Sequence, residues 1–541
     1  MKKGHRLRAP SNDGGLLAVP PLAEVAAHFT RTAARLAGWD HDFQGRRAGI
    51  LRGLVHREVI AAACHFLRRH ELDVPEVGPC SGDSVITPLV ITGHQPELFH
   101  PGVWVKNFAT AALAGAHGGL GLNLIVDNDL PKSASIRVPR VGKDRLQTVR
   151  VEFDQWKGEM PYEDLAVHDE SLFASFGDRV RQVLGGVIAD PIIEGFWPRA
   201  LRQANCQPTL GMRLALARRE LESKWGVSNL EIPLSQVCQT EGFFWFASHL
   251  LAQLPRFQQI HNAALAEYRA VHGIRSKNHP VSALGVQGKW REAPFWIWRQ
   301  GQPRRRPLLV RQAPRTMFLR IAGEDDPLIE LPLSPDREAC CAVERLHDLA
   351  TRSIRLRTRA LTTTMFCRYL LGDLFIHGIG GAKYDELGDS IARRFFGIEP
   401  PEFLTLSLTA WLGLPDQTAT PSELATLERA LRDLVYNPDR HLSEPLSPQV
   451  RNLISNKREA IAREGSTRQE RIGRFRAIRA INEALRELVQ ESRHSLQVRK
   501  EQVLAGLEWN RLAHGREYAL VLHSAQRLHK LMIGLGSGLN S

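Results

Sequence analysis

The stretch VITPLVITGHQPELFHPGVWVKNFATAALAGAHGGLGLNLIVDND, residues 85–129, decides how this chain is read. Residues 85–93 are apolar and β-rich, as a buried strand requires. GHQPELFHPG follows, rich in turn formers, and from Val103 the residues VWVKNFATAALAGA read as a helix. The helix stops at His117-Gly118-Gly119, where glycine is the usual terminator. LNLIVDND, residues 122–129, reads as a second buried strand with acids at its carboxyl end. Strand, loop, helix and strand in that order make a parallel crossover.

A second unit of the same kind lies far downstream. DLFIHG (373–378) reads as a strand, GIGG (378–381) as a glycine loop, and AKYDELGDSIARRFFG (382–397) as an amphipathic helix closed by Gly397. PEFLTLSLTAWL (401–412) is again apolar and β-rich. Two such units predict an α/β fold: a Rossmann-like, doubly wound parallel sheet interrupted by a large insertion.

Working outward, residues 1–80 read as an N-terminal helical segment packed on the core, on the helical spacing in VAAHFTRTAARLAGW and HREVIAAACHFLRRH. The core halves span 81–130 and 371–415, and 131–370 is an inserted α+β region. The insertion mixes β-like TVRVEFD with helical TLGMRLALARRELESKWG and FFWFASHLLAQL. Two apolar runs flanking Gln300-Gly301-Gln302-Pro303 predict a hairpin. Within it Trp296 and Trp298 share a face and read as core, and Arg304-Arg305-Arg306 as a solvated loop. Residues 421–541 are helical: Ser447 caps Pro448, Thr467 and Glu470 form a capping box, and Ile472, Phe475, Ile478, Ile481, Leu485 and Leu488 recur at three- or four-residue steps. That pattern predicts an antiparallel coiled coil or bundle.

At 541 residues the chain exceeds one hydrophobic core. Charged residues at 24% and hydrophobic residues at 43% exclude a mostly disordered chain. No apolar run reaches the ~18 residues of a membrane span, and LLAVPPLAEVAA is a poor secretory segment, so the expectation is cytoplasmic and without a membrane partner. Seventy-one basic against 58 acidic residues give a net charge of +13, which suits anionic substrates; on charge alone nucleic acid is not the expected partner. Seven cysteines without C-x-x-C indicate neither a disulfide framework nor a zinc ribbon. Vicinal Cys340-Cys341 reads as two small core residues.

The chemistry concentrates in the two glycine loops. Thr92, Gly93, His94, Gln95, His100 and Gly102 lie between a strand end and a helix N-terminus, where free N–H groups and a positive field receive anions. Gly378, Gly380 and Gly381, followed by Lys383 and Tyr384, repeat the arrangement, with His377 at the strand end. If the second strand runs through Asp129, Asp127 and Asp129 share a face, and either can anchor a ribose or an amine. No ligand spacing predicts a metal cage. G-x-G-x-x-G, G-x-S-x-G, H-E-x-x-H and the Walker loop are absent, and no tightly bound cofactor is expected.

ITGHQPELFHPG resembles the T-G-Q-Q-x-G-L-F-x-G-P signature of the bacillithiol cysteine-adding enzymes (BshC), through Thr92, Gly93, Gln95, Leu98 and Phe99 with Gly102 near the second glycine. GIGGAKYDEL is similar to that family's glycine pair and following helix through Gly380, Gly381 and Tyr384, and HNAALAEYR (261–269) faintly resembles a segment of the same region. The resemblance implies a split Rossmann-like core, a C-terminal coiled-coil domain that forms a homodimer, and amide formation between cysteine and the amine of an amino-sugar conjugate. His94 stands where the family has its first glutamine, and Val126-Asp127-Asn128-Asp129-Leu130-Pro131 replaces the family's S-E-D-H-D stretch, so the resemblance is to a divergent member. Such a condensation implies ATP with Mg2+ and small anionic or amino-sugar-like substrates. His94 is then assigned to polarise the activated carbonyl or phosphate, and Asp127 or Asp129 to bind the amine. A nucleotidyltransferase-like enzyme on the same sheet, and a non-enzymatic binding protein using the basic helices at 450–500 on nucleic acid or a partner, are the alternatives.

Overall fold

The computed structural model describes residues 7–76, 87–142, 145–302, 304–333 and 339–539. Residues 78–82 and 85–86, with Cys80, and Pro303 lie outside the described residues. The chain divides into two compact units: one of Met1–Val138, Arg150–Leu412 and Arg516–Ser541, the other of Pro139–Val149 and Gly413–Gly515.

The larger unit is built on a six-stranded sheet in the order Leu16–Val19, Phe403–Leu408, Leu374–His377, Leu89–His94, Leu120–Ile125, Leu230–Pro233. The last five are mutually parallel, and Leu16–Val19 runs antiparallel along one edge. Every residue of Leu120–Ile125 is buried, as a parallel strand covered on both faces must be. In chain order the parallel strands run outward from Leu89–His94 to Leu230–Pro233; the chain then returns to the centre and continues to the other edge. The direction of winding therefore reverses between Leu89–His94 and Leu374–His377.

Both sequence-predicted crossovers are present. Helix Pro101–Ala116 follows the first strand, with His100 as N-cap and Pro101 in the first turn. Helix Ile379–Ile391 follows Leu374–His377, continues through a π-helical Ala392–Phe396, and ends at Gly397 with φ +65°. Helix Ala48–Arg69 packs on Leu230–Pro233 and buries Leu51, Val55, Val59, Ala63 and Phe66 in the core that also holds Leu89, Ile91, Leu122 and Leu124.

Two core strands fall outside the expected halves. Leu230–Pro233 lies inside the supposed insertion, and Leu16–Val19 inside the supposed helical segment. Both are four residues long, too short for periodicity to separate them from loop. Alongside helices, the insertion also contains a five-stranded antiparallel sheet ordered Ile329–Pro332, Thr316–Ile321, Arg306–Ala313, Trp290–Arg299, Ile354–Thr358. The expected hairpin joins Trp290–Arg299 to Arg306–Ala313, with Gly301 at φ +77° in its turn. The expected 421–541 domain is also divided: from Arg516 the chain belongs to the larger unit, where helix Ala525–Leu539 packs on Pro101–Ala116.

The smaller unit holds helices Pro421–Tyr436, Pro448–Ala462, Arg468–Arg486 and Gln490–Ala513. The Ser447 cap and the Thr467–Glu470 capping box are both formed. Leu427, Leu434, Ala460, Leu485, Val489, Val503 and Trp509 are among its buried apolar residues. Of the expected apolar stripe Leu485 is buried, whereas Ile472, Phe475 and Leu488 are exposed. Among the described residues no helix is long and apolar enough to cross a membrane.

Candidate active site

A cavity of about 750 Å3 opens at the carboxyl ends of Leu89–His94, Leu120–Ile125 and Leu374–His377, where the winding reverses. Gly93, His94 and Gln95 line it from the first loop, with His100 and Gly102 at the start of the first helix. His377, Gly378, Gly380 and Gly381 line it from the second. Two helix N-termini thus face one space. The inserted region supplies His261, Trp296, Arg305 and Arg359. Five cationic side chains (Lys106, Lys132, Arg305, Arg359 and Arg516) line it against two carboxylates, Asp129 and Glu517.

Lys106 is the feature the motif analysis missed. Helical spacing from Pro101 turns it back over the strand end, where its Nζ donates to the Gly93 carbonyl at 3.0 Å. Burial lowers its pKa to about 8. Its signal was present: a single lysine in an otherwise apolar helix is rarely buried without a partner.

The histidines are set by their neighbours. His94 Nδ1 lies 3.1 Å from the Gln95 carbonyl, so this nitrogen carries the hydrogen and Nε2 is left as an acceptor. Burial, with Lys106 beside it, lowers the His94 pKa to about 3, so the ring is neutral. A neutral ring of this tautomer cannot donate to an oxyanion. His94 therefore offers an acceptor to the cavity rather than the expected donor, and Lys106 is the cationic donor beside it. His100 Nδ1 accepts from the Gly102 N–H at 3.1 Å, leaving Nε2–H near Glu517 at 3.5 Å.

His377 Nε2 meets Asp385 Oδ2 at 2.5 Å, leaving Nδ1 as the proton-accepting nitrogen. Asp385 also accepts from Thr364 at 2.8 Å and from Arg368 at 3.0 Å. Burial alone would raise this carboxyl, but His377 and Arg368 hold it down at about 2. The result is an imidazole at a cavity wall, oriented by a buried ionised carboxylate, the pairing a general base requires. His261 lines the opposite region, with Nδ1 bonded to Asn262 at 3.1 Å.

The two aspartates separate. The strand ends at Ile125, so the premise of a shared face fails. Asp127 turns away from the cavity and accepts from the backbone N–H of Ser235 at 2.9 Å and from the Ser235 hydroxyl. Burial and the neighbouring Glu163 raise its pKa to about 7. Asp127 is thus a brace between two strand ends. Asp129 lines the cavity, held by Gln95 at 2.6 Å and Arg305 at 3.0 Å.

Other assignments also change. Thr92 is buried below the cavity, and its hydroxyl donates to the Ile376 carbonyl at 3.0 Å. Lys383 is exposed and does not line the cavity, because the helix begins four residues earlier and turns it outward. Tyr384 belongs to the same helix, and its side chain lies outside what the structure describes. Trp296 is a platform, with the guanidiniums of Arg359 at 4.1 Å and Arg305 at 5.1 Å from its ring centre. Trp298 is core, donating to Asp164 at 2.9 Å. Cys340 and Cys341 are exposed on the first turn of a helix, not core.

Among the described residues no group of three His, Cys, Asp or Glu side chains is placed to hold a metal ion. Fold and site together define an α/β protein with a basic, partly enclosed cavity at the reversal point of a parallel sheet. Compared with known proteins, the chain matches no family model and no curated protein.

Proposed function

We propose that the chain is an ATP-dependent ligase joining an amino-acid carboxylate to an amine, on a Rossmann-like core, and a divergent relative of the bacillithiol cysteine-adding enzymes. The observation that carries this reading is the convergence of Lys106 and two helix N-termini on one cavity that is also lined by Asp129 and by His377, which Asp385 orients from behind. Anion binding and proton acceptance are what amide formation from an activated carboxylate needs.

In this reading the carboxylate attacks a phosphorus of ATP, giving an acyl phosphate with release of ADP or an acyl adenylate with release of pyrophosphate. Lys106 and the helix N–H at Gly380 receive the negative oxygens. Asp129, held by Gln95 and Arg305, takes the ammonium form of the acceptor. His377 removes the proton as the amine attacks the carbonyl, and the leaving group departs as phosphate from an acyl phosphate or as AMP from an acyl adenylate. Mg2+ arrives with the nucleotide and neutralises its phosphates; the chain's own donors bind and orient.

The test is turnover of ATP by the purified chain with each amino acid and with amino-sugar acceptors. The reading expects nucleotide consumption that depends on both an amino acid and an amine, with an amide as product. Hydrolysis or nucleotide transfer without amide would replace it with the nucleotidyltransferase alternative. The homodimer through the C-terminal helices belongs to the same reading, and sedimentation of the full chain tests it.

A further inference from the structure

Helix Arg468–Arg486 carries Arg468, Arg471, Arg474, Arg476, Arg479 and Arg486 against Glu470 and Glu483. Helix periodicity sorts these arginines. Arg474 turns inward and donates to the Arg463 carbonyl at 3.0 Å, stitching the helix to Pro448–Ala462. Arg468, Arg471, Arg476 and Arg479 stand on the outer face, with Ile472 and Phe475 between them, and the six line one shallow groove. Phe475 is 63% exposed and Ile472 43%. Among the described residues none of the four arginines forms an ion pair, although carboxylates pair with Arg499, Lys500 and Arg511 in the same unit. From Asn482 the same face is covered, its amide donating to the Tyr436 carbonyl at 2.8 Å. The bare stripe is therefore confined to the first three turns.

Four unpaired guanidiniums spaced at three to five residues, around one exposed aromatic ring, match a phosphodiester backbone with unstacked bases. We propose that this stripe binds single-stranded nucleic acid, phosphates on the four arginines and a base on Phe475. Charge complementarity favours this occupant. Two apolar side chains are too few to seat a helix in a bilayer, which takes a continuous apolar face. An apolar helix partner would leave the four guanidiniums facing no counter-charge. The net charge alone did not single out nucleic acid; the sorting of arginines by the helix does.

The test is fluorescence anisotropy of labelled oligo-dT and oligo-U with the full chain, across a salt series. Four phosphate contacts on a single strand predict a slope of log K against log salt of about −3, and Arg471→Ala with Arg479→Ala should reduce its magnitude by about 1.4. Phe475→Ala should weaken binding with the slope unchanged, the signature of lost stacking. All three positions are exposed, and an unchanged thermal melt shows that each variant folds. Absence of oligonucleotide binding at low salt, or a slope indifferent to the arginine changes, overturns the proposal. So does binding to phosphatidylserine vesicles in place of oligonucleotide. A second copy seated on the stripe, seen as a dimer that Phe475→Glu dissociates, also overturns it.

Discussion

The Nζ of Lys106 lies 3.0 Å from the carbonyl oxygen of Gly93, so a helix side chain returns to the end of the strand that precedes it. Burial sets this amine to titrate near pH 8, where an ordinary lysine remains charged. Binding of a phosphorylated ligand should weaken as pH rises through about 8. Lys106→Met should abolish that pH dependence and lose about 10- to 100-fold in affinity, the worth of one charge-assisted hydrogen bond. Calorimetric titrations at pH 7 and pH 9 measure both. The stability effect has the opposite sense. The unfolded chain keeps this proton to about 10.5 and the folded chain to about 8, so stability from this group rises between those values.

His377 and Asp385 act as a pair. His377→Ala should lower kcat by about 10²- to 10⁴-fold with KM little changed, as loss of a general base does. Asp385→Ala also removes one of the two carboxylates on buried Arg368, Asp389 being the other, and should lower stability in urea denaturation. Because the Asp385 pKa is depressed from 3.8 to about 2, its contribution is complete above pH 4 and is lost as pH falls toward 2.

The second glycine loop separates fold from chemistry. A Cβ on Gly381 would lie 2.6 Å from His377 Nδ1, whereas one on Gly380 meets nothing within 4 Å. Gly381→Ala should push the imidazole aside and depress kcat, and Gly380→Ala should leave stability unchanged or raised. In the first loop, a Cβ on Gly102 would lie 2.3 Å from the Leu408 carbonyl. Gly102→Ala should therefore destabilise by about 1–3 kcal/mol, the cost of overpacking. Thermal melts with steady-state rates distinguish the three.

Asp127 and Asp129, two residues apart, make opposite predictions. Asp129→Asn should raise the KM of the amine substrate. Asp127→Asn should leave it unchanged and alter stability instead. The folded Asp127 pKa is raised from 3.8 to about 7, so the folded form binds the extra proton across that range and stability from this group falls as pH rises. Asp127→Asn should remove that slope, as urea titrations between pH 4 and pH 7 will report.

The crossover units were legible because two long signals, apolar strands and glycine-ended helices, agreed over residues 87–125 and 374–408. The cavity's floor followed from them. Its roof did not: Trp296, Arg305 and Arg359 reach it only through a register bulge between Glu292 and Trp296 and the pairing of Ile354–Thr358 with Trp290–Arg299. No local pattern encodes that pairing, since sheet contacts depend on segments distant in sequence. Asp127 was misplaced because its strand ends at Ile125, four residues short of the expected Asp129, and element ends are the least legible feature of a sequence. Lys106 was legible in principle, as the lone charge in VWVKNFATAALA.

In the proposed function the cavity at the strand reversal binds ATP and an amino acid. A thermal-shift titration of the full chain with MgATP, cysteine and other amino acids tests it most directly, comparing wild type with Lys106→Met. Ligand at about 100 times its dissociation constant adds about 2.7 kcal/mol to folding. The account predicts stabilisation by MgATP in the wild type, strongly reduced in Lys106→Met, with a further shift from one amino acid. No shift with MgATP or any amino acid, or equal shifts in both proteins, would contradict it.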